Sequence, residues 1–356
     1  MLDWIAIEAL EFAQEARPHA SQAENFWEDA MPGRTLAAAF VLALSSVPLQ
    51  AQVVVKIATV NAGDNPRNIA ANEMAKLLNA RSSGRIKAEV YLNNQLAKGE
   101  AAMLEGIQLG TVDIAPVGAA PIGGIFEPAY LPLSLPFLWP SRQHVWKAMD
   151  GALGAELTKK IEAKNVKVLC FGGGWGYRNV MSNTKAIQSP ADMKGMTIRV
   201  QQSPVYIGMM KALGANPVPM PWNETYLALK QGTVDAMEAP AVSIVSDRYH
   251  EIGKYYSLTK HTYEPITWFV GKRLYEGLPS DLRAIVDAAA KETCAIDRKA
   301  ELDSEAGDLE TIKKAGVQVT DVANTRPFRD LVKAVYDEVG AKVGKEWLDK
   351  VTSAAN

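Results

Sequence analysis

One stretch constrains the fold more than any other: LPSDLRAIVDAAAKETCAIDRKAELDSEAGDLETIKKAG, residues 278–316. Its apolar residues recur at helical spacing from one end to the other. Ser280 is a candidate N-cap, and Gly316 is a candidate stop signal. At about 1.5 Å per residue, a single helix over this stretch would extend for more than about 50 Å. A helix of that length is predicted to span two lobes.

The chain before this stretch alternates between strand and helix patterns. VVVKIATV (53–60) is an apolar β-branched run, residues 68–84 have helical periodicity, and IKAEVYL (86–92) alternates like a strand. The alternation predicts an α/β architecture. The chain has 356 residues, which is more than one core usually serves, so two lobes are predicted. The predicted lobes are residues 52–175 with about 265–304, and residues 176–264 with about 305–356.

A glycine-rich segment lies where the two predicted lobes meet. VKVLCFGGG (166–174) has the pattern of a strand that runs into glycines, and GWGYRNVMSN (174–183) follows as a second extended piece. A phosphate-binding loop fits poorly, because no Gly-Lys-Ser/Thr follows and the next piece is extended rather than helical. We interpret the segment as a hinge between the lobes.

A proline-rich segment precedes this hinge, between Pro121 and Pro140. Aromatic side chains, including Tyr130 and Trp139, are interleaved with its prolines. Because such side chains need burial, the segment is predicted to be a rigid path over the surface rather than a disordered linker.

The N-terminal region is composite. Residues 31–51 have a single Arg34, a short apolar run and then small residues up to Ala51, which is the layout of a secretory signal peptide. The apolar run is far shorter than the roughly 20 residues that a membrane-spanning helix needs. Cleavage is predicted after Ala51. Residues 1–30 are acidic and lie upstream of the signal, so we interpret them as a misassigned start or an artificial addition.

Composition and charge exclude several classes of protein. Residues 1–51 hold seven acidic residues, which leaves 36 of the 38 basic and 33 of the 40 acidic side chains in the mature chain. This balance does not favour nucleic acid as a partner. The only two cysteines, Cys170 and Cys294, lie in an apolar run and in a helical pattern. We predict that both are buried thiols, although one disulfide is an alternative in an oxidising compartment.

The sequence carries no recognisable catalytic or metal-binding pattern. The four histidines are scattered, with none at the spacing of a zinc site. There is also no GxSxG, no GxGxxG at a strand-to-helix turn and no CxxC. No metal and no cofactor are therefore predicted, and no nucleophile can be named for an enzyme.

Two arginines and a tryptophan are the best candidates for a binding site. Arg178 and Arg199 each follow a short apolar or aromatic stretch near the hinge. A guanidinium there is suited to hold a carboxylate by two parallel hydrogen bonds, and the alternative is a surface salt bridge. Trp222 lies between Pro221 and a predicted N-cap at Asn223. Its ring would either form a pocket wall or pack in the core.

Three segments together resemble the substrate-binding proteins of tripartite ATP-independent periplasmic (TRAP) transporters, the DctP family. The most specific is SPADMKGMTIRVQQSPVYIGMMKALGANPVPMPWNETYLALKQGTVDAMEAP (189–240). NQLAKGEAAMLEGIQLGTVDIAPVG (94–118) and GWGYRNVMSNTKAIQS (174–189) support it. The resemblance runs from about Val53 to the C-terminus. It implies a two-lobed periplasmic binding protein, type II-like, with hinge strands and a long helix that crosses both lobes.

The resemblance also implies a set of ligand-binding residues. Arg199 would hold the ligand carboxylate, Arg178 would add a second cationic contact, Trp222 would border the ligand and Asn61 would supply polar contacts. Glu238 is a further candidate, and the Glu-Ala-Pro segment that it begins departs from the Glu-Asn-Pro of sialic-acid-binding members.

The departures from the family pattern bear on the ligand. Sialic-acid-binding members carry an acidic residue and a nearby arginine where this chain has Gly118 and Pro121, so sialic acid is not the expected ligand. Trp222 in place of a phenylalanine favours a smaller or flatter organic acid.

The predicted function is that of a periplasmic receptor. It would bind a small organic acid anion and deliver it, as a monomer, to the small and large membrane subunits of a TRAP permease, with no nucleic acid involved. An enzyme that acts on an organic acid in the same cleft is one alternative. A receptor for a sensor kinase or for another importer is the other.

Overall fold

The computed structural model describes residues 52–355, which contain two β-sheets. The strands are β1 (Val53–Ala58), β2 (Ile86–Tyr91), β3 (Ile114–Gly118), β4 (Val166–Gly174), β5 (Arg178–Ser182), β6 (Thr197–Val200), β7 (Asn216–Pro219), β8 (Ala236–Ala239), β9 (Tyr255–Thr262), β10 (Pro265–Gly271) and β11 (Gln318–Asp321). The first sheet has the order β2-β1-β3-β10-β4, and the second has the order β11-β9-β5-β8-β6-β7. The predicted α/β class with two sheet-based lobes is confirmed.

Helices connect these strands. The α-helices of six residues or more are α1 (Pro66–Arg81), α2 (Glu100–Leu109), α3 (Arg142–Asp150), α4 (Ala152–Glu162), α5 (Pro204–Ala212), α6 (Trp222–Gln231), α7 (Ala241–Ser246), α8 (Lys272–Gly277), α9 (Ser280–Lys314), α10 (Arg326–Leu331), α11 (Lys333–Val343) and α12 (Lys345–Ala354). Strand β1 pairs in parallel with β2 and with β3, so α1 and α2 serve as the crossovers that parallel strands require.

The chain passes between the two sheets at two short segments. It leaves the first sheet at Gly174 and enters the second at Arg178, and it returns between Thr262 and Pro265. These two crossings are the hinge strands.

The long helix α9 is the third connection between the sheets. Its 35 residues extend for about 52 Å at 1.5 Å per residue. Leu282 and Val286 near its start are buried in the core of the first sheet, and Ile312 near its end is buried in a core of the second. Gly316 lies just beyond the end with φ +87°, as predicted for a stop signal. Ser280 is the first helical residue, however, and Pro279 takes the N-cap position.

The glycines before the hinge have a packing role as well. Gly172 and Gly173 belong to strand β4, directly against the long helix α9. A Cβ atom at Gly172 would overlap the carboxylate of Asp297, and one at Gly173 would lie 2.7 Å from Oε2 of Glu301. The glycines therefore let these two carboxylates of α9 reach the β4 backbone.

The proline-rich segment has regular structure, but it is largely buried rather than a path over the surface, because its apolar and aromatic side chains pack into the cores. Pro128–Ser134 forms a 3₁₀ helix, and Tyr130 and Trp139 are buried in the first core. Trp139 Nε1 donates a hydrogen bond of 2.9 Å to the carbonyl of Leu133.

The prediction of two buried thiols is wrong, because Cys170 and Cys294 form a disulfide. Cys170 lies on β4 and Cys294 on α9, and their Cα atoms are 6.3 Å apart. This distance is within the usual range for a disulfide, and it arises because the long helix packs along β4. No local pattern shows such proximity between residues 124 positions apart.

The C-terminal helices do not follow the predicted partition. The sequence predicts that about 305–356 belong to the second lobe, but Trp347 and Val351 of α12 are buried in the core of the first sheet. Trp347 Nε1 also donates to the carbonyl of Ala129 at 2.8 Å. The end of the chain thus returns to the first sheet, because the amphipathic helix α12 covers apolar surface there.

The predicted upstream segment (1–30) and signal peptide (31–51) lie outside the described residues. None of the helices within residues 52–355 is both long and apolar enough to cross a lipid bilayer.

Candidate ligand-binding site

A cleft lies beside the first hinge crossing and draws its walls from both sheets. Its empty space, including the open mouth, is about 530 Å³. The polar lining residues are Asn61, Glu100, Arg178, Arg199, Gln201, Gln202 and Ser243. The apolar lining residues are Val60, Ala101, Pro121, Trp175, Met220, Pro221 and Trp222. Four of the five predicted site residues, Asn61, Arg178, Arg199 and Trp222, are therefore brought together in one cleft.

Arg199 is buried on strand β6, yet it forms no ion pair with any carboxylate among residues 52–355. Its Nε and Nη2 atoms donate to the carbonyl of Met220 at 3.0 and 2.7 Å, which fixes the plane of the guanidinium. Its Nη1 atom has no hydrogen-bond partner among the described residues. Burial lowers the pKa of Arg199, which is the expected effect when a cation is removed from water without compensation. The site is therefore suited to an anion.

The ring of Trp222 packs against the guanidinium of Arg199. The guanidinium carbon of Arg199 lies 5.4 Å from the centre of the Trp222 ring, within the range of a cation–π contact. Trp222 is also the first residue of α6, so the predicted N-cap at Asn223 is wrong and Pro221 occupies that position. Trp222 is partly exposed, and its ring also packs near Tyr249, with the two ring centres 4.9 Å apart.

Arg178 differs from Arg199 because it is neutralised within the protein. Its Nε atom forms a buried ion pair with Glu238, and its Nη2 atom donates to the Glu238 carbonyl at 2.8 Å. Burial is the largest single influence and lowers the pKa of Arg178, but the charge and hydrogen bond of Glu238, together with nearby Tyr206 and Glu264, outweigh burial, so that the pKa is raised. Glu238 is fully buried and does not line the cleft, so the structure places this predicted site residue behind the wall, as the counter-ion of Arg178.

Asn61 lies at the end of the cleft and contacts Asp247, a residue that the sequence did not indicate. Asn61 Nδ2 donates to Asp247 Oδ2 at 3.0 Å. Asp247 also accepts from the backbone N–H of Ala62 at 3.2 Å and from Trp222 Nε1 at 3.1 Å. The carboxylate of Asp247, which follows α7, thus connects the loop after β1 with Trp222 at the start of α6.

Two further carboxyl groups were missed by sequence reasoning. Glu100 begins α2, lines the cleft and accepts a hydrogen bond from the Gly118 N–H at 2.7 Å. Removal from water, followed by the nearby charge of Glu264, raises the pKa of Glu100 to about 7. Glu264 is buried and accepts from Ala120 N, Gln201 Nε2 and Tyr206 Oη at 2.8 to 2.9 Å. Glu100 did lie within a segment that carried the family resemblance, but nothing in that segment singled it out.

The described residues contain no group of three or more His, Cys, Asp or Glu side chains that could hold a metal ion. The arrangement instead offers hydrogen-bond donors, one unpaired cation and an aromatic wall. These are the elements of a binding site for an organic anion.

Comparisons with known proteins agree with this geometry. The model of the family described as "Bacterial extracellular solute-binding protein, family 7" (DctP) matches residues 57–342. The 2,3-diketo-L-gulonate-binding periplasmic protein YiaO of Escherichia coli is 32% identical over 264 residues, which cover 74% of this chain and 80% of that protein. The C4-dicarboxylate-binding periplasmic protein DctP of Rhodobacter capsulatus is 29% identical over 322 residues, which cover 89% of this chain and 96% of that protein.

Solved structures give the same result. The sugar acid binding protein DctPAm of Advenella mimigardefordensis, in complex with galactonate, superposes with a TM-score of 0.82 at 28% identity, covering 86% of this chain and 98% of that one. The matched proteins are solute-binding receptors and not enzymes. The chain therefore belongs to the DctP family of bacterial extracellular solute-binding proteins, and it is a TRAP-type receptor for an organic acid.

Proposed function

We propose that this receptor captures its organic acid by pairing the ligand carboxylate with Arg199 and then delivers it to the membrane subunits of a TRAP permease. The observation that carries the proposal is the state of Arg199, which is buried, held by the Met220 carbonyl and without a carboxylate within 4.0 Å among residues 52–355. A buried cation without a counter-ion is costly unless an anion completes the site.

Binding would proceed by closure of the two lobes around the hinge crossings. The open form admits the anion, Arg199 pairs with it, and the first lobe closes over it through Asn61 and its neighbours. Closure excludes water, so the charge-assisted hydrogen bonds strengthen as the local dielectric falls. The ligand thereby favours a closed form that the small and large permease subunits recognise.

The relatives limit the class of ligand without naming it. The proteins named above are described as binding 2,3-diketo-L-gulonate, C4-dicarboxylates and galactonate. All of these are small carboxylates, and a small organic acid is therefore the proposed ligand class. The proposal also includes export to the periplasm, with cleavage of the signal peptide after Ala51. The receptor acts as a monomer, and its lobe boundaries lie at the two hinge crossings.

Calorimetry on Arg199→Lys tests the central claim. A compact ammonium cannot reproduce the planar fork that Met220 and the ligand share, so affinity for any bound organic acid should fall by about tenfold to a hundredfold. Arg273→Lys, an exposed arginine on α8, is the matched control and should bind like the unchanged protein. Equal affinity in Arg199→Lys would contradict the proposal, and consumption of the ligand during the titration would favour an enzyme instead.

A further inference from the structure

The two arginines of the cleft differ in whether a carboxylate of the protein balances their charge, and this difference limits which ligands fit. Arg178 and Arg199 are the two cationic side chains among the described lining residues. Glu238 balances the charge of Arg178, whereas no carboxylate in the described part of the chain lies within 4.0 Å of Arg199. The cleft therefore supplies one uncompensated positive charge, which matches a single ligand carboxylate.

Another part of the cleft wall carries acceptors rather than donors. Glu100 Oε1 is occupied by the Gly118 N–H, but its second oxygen accepts no hydrogen bond from the described residues. The carboxyl group of Glu264 lies close to that of Glu100. A Cβ atom placed on Gly118 would lie 2.5 Å from Glu264 Oε1 and 3.4 Å from Glu100 Oε1. All hydrogen bonds to Glu264 come from the protein interior, so its charge is not available to a ligand but adds to the negative potential around Glu100.

Asn61 provides a second free acceptor. Because a carboxylate such as Asp247 only accepts hydrogen bonds, the amide NH₂ of Asn61 must face Asp247. The opposite atom, Oδ1, is then an acceptor, and it is buried without a partner among the described residues. Glu100 and Asn61 therefore both require donors from the ligand.

These observations discriminate between two kinds of small acid. A second ligand carboxylate would find no free cation in the cleft, and it would lie near Glu100 and Glu264 in a poorly hydrated site where like charges repel strongly. Ligand hydroxyl groups, in contrast, would donate to Glu100 and to Asn61 and satisfy both acceptors. A hydrocarbon chain would leave both acceptors desolvated and unpaired.

We propose that the ligand is a hydroxylated monocarboxylate of the sugar-acid type, and that Glu100 sets this specificity by accepting a ligand hydroxyl and repelling a second carboxylate. This inference rests on the proposed function, because Arg199 must hold the one carboxylate. The charge on Glu100 is needed for both effects, so the preference should be fullest above its pKa of about 7.

Calorimetry above that pH with matched acids tests the proposal. The six-carbon set is D-gluconate, hexanoate, D-glucarate and adipate, and the four-carbon set is D-erythronate, butyrate, tartrate and succinate. Within the set of the right length, the hydroxylated monocarboxylate should bind at least about tenfold more tightly than the other three, since one charge-assisted hydrogen bond contributes about 1.5–3 kcal/mol. A dicarboxylate or an unhydroxylated acid that binds as tightly would overturn it.

Glu100→Gln tests the residue itself. Glutamine keeps the shape and one acceptor oxygen but removes the negative charge, so the preference for D-gluconate over D-glucarate, or for D-erythronate over tartrate, should shrink by about tenfold. Glu105→Gln, an exposed position on the same helix, is the control and should keep the preference. An unchanged preference in Glu100→Gln would overturn the role of Glu100.

The ligand class and the role of Arg199 can be contradicted separately. If dicarboxylates bind most tightly and Arg199→Lys weakens them, the inference is wrong and the proposed function stands. If none of the eight acids binds, the inference is wrong. If acids bind equally well to Arg199→Lys, the proposed function is wrong.

Discussion

Arg178 and Glu238 form a buried ion pair between the antiparallel neighbours β5 and β8, directly behind the wall of the cleft. His261 adds a second contact, with its Nε2 atom 3.7 Å from Glu238 Oε2. The negative charge of Glu238 balances the positive charge of Arg178, whereas Arg199 has no carboxylate partner among the described residues.

Glu238→Gln should therefore destabilise the protein strongly. It leaves the buried Arg178 guanidinium without its counter-ion, and breaking a buried pair in this way typically costs about 3–5 kcal/mol. Urea unfolding of the ligand-free chain measures the change. Glu276→Gln removes an exposed ion pair with Lys272 and should cost less than about 1 kcal/mol. Similar losses for the two variants would show that the buried pair lacks this importance.

The pH dependence of stability should reveal Glu301 on the long helix. Burial raises the pKa of Glu301 to about 7, despite hydrogen bonds from Gly174 N–H and Tyr263 Oη. Between the ordinary pKa of about 4.5 and about 7, the folded state holds a proton that the unfolded state releases. The free energy of unfolding should therefore fall as pH rises through this window, because the unfolded state binds fewer protons.

Glu301→Gln should make this fall shallower, since the amide does not titrate. Part of the slope should remain, because Glu100 also has a pKa raised to about 7. Glu310→Gln, at an exposed position on the same helix, should leave the slope unchanged. Denaturant titrations at a series of pH values give the comparison, and an identical slope in Glu301→Gln would refute the assignment.

Reduction of Cys170–Cys294 should lower the melting temperature. The disulfide closes a loop of more than 100 residues between β4 and α9, for which loss of unfolded-state entropy predicts about 5 kcal/mol. Thermal unfolding with and without dithiothreitol measures the effect. The double variant Cys170→Ala with Cys294→Ala should be as unstable as the reduced protein and insensitive to the reductant. Two free thiols in the unreduced, denatured chain would contradict the disulfide.

Asp247→Asn should weaken ligand binding without direct loss of a ligand contact. Asp247 accepts hydrogen bonds from Asn61, Ala62 and Trp222 and so joins the two sides of the cleft. An amide cannot accept from all three donors equally, and we expect affinity to fall by about tenfold because the closed form is less favoured. Calorimetry measures this loss, with the exposed Asp337→Asn as the control. Small-angle scattering that shows full closure of Asp247→Asn with unchanged affinity would exclude this role.

Local pattern was sufficient for most of the secondary structure. The predicted strands 53–60 and 86–92 are observed as Val53–Ala58 and Ile86–Tyr91, and the long helix predicted over 278–316 is observed as Ser280–Lys314. These elements depend on periodicities of two and 3.6 residues, which neighbouring side chains display without help from the rest of the chain. The errors lie at helix starts, where Ser280 and Asn223 resembled N-caps but a preceding proline holds that position.

The site was predictable in part. Arg199, Arg178 and Trp222 come from segments that carry the family resemblance, and they line one cleft together with Asn61, which follows β1. Glu238 was placed among the ligand-binding residues, but it pairs with Arg178 behind the wall. Its role depends on which face of β8 points toward β5, and the four-residue strand is buried at every position, so its pattern does not distinguish the faces.

The amino-acid sequence by itself determined the α/β class, the two lobes, the long helix and the arginines offered to an anion. Only the tertiary structure decided that Glu238 balances the charge of Arg178 and that Cys170 forms a disulfide with Cys294. It also decided that Glu100 and Asn61 each have an acceptor oxygen without a hydrogen-bond partner among the described residues. Local elements follow from interactions between residues a few positions apart, whereas charge balance in a cleft depends on distances between side chains from separate elements. Those distances exist only once the two sheets and the long helix have packed together.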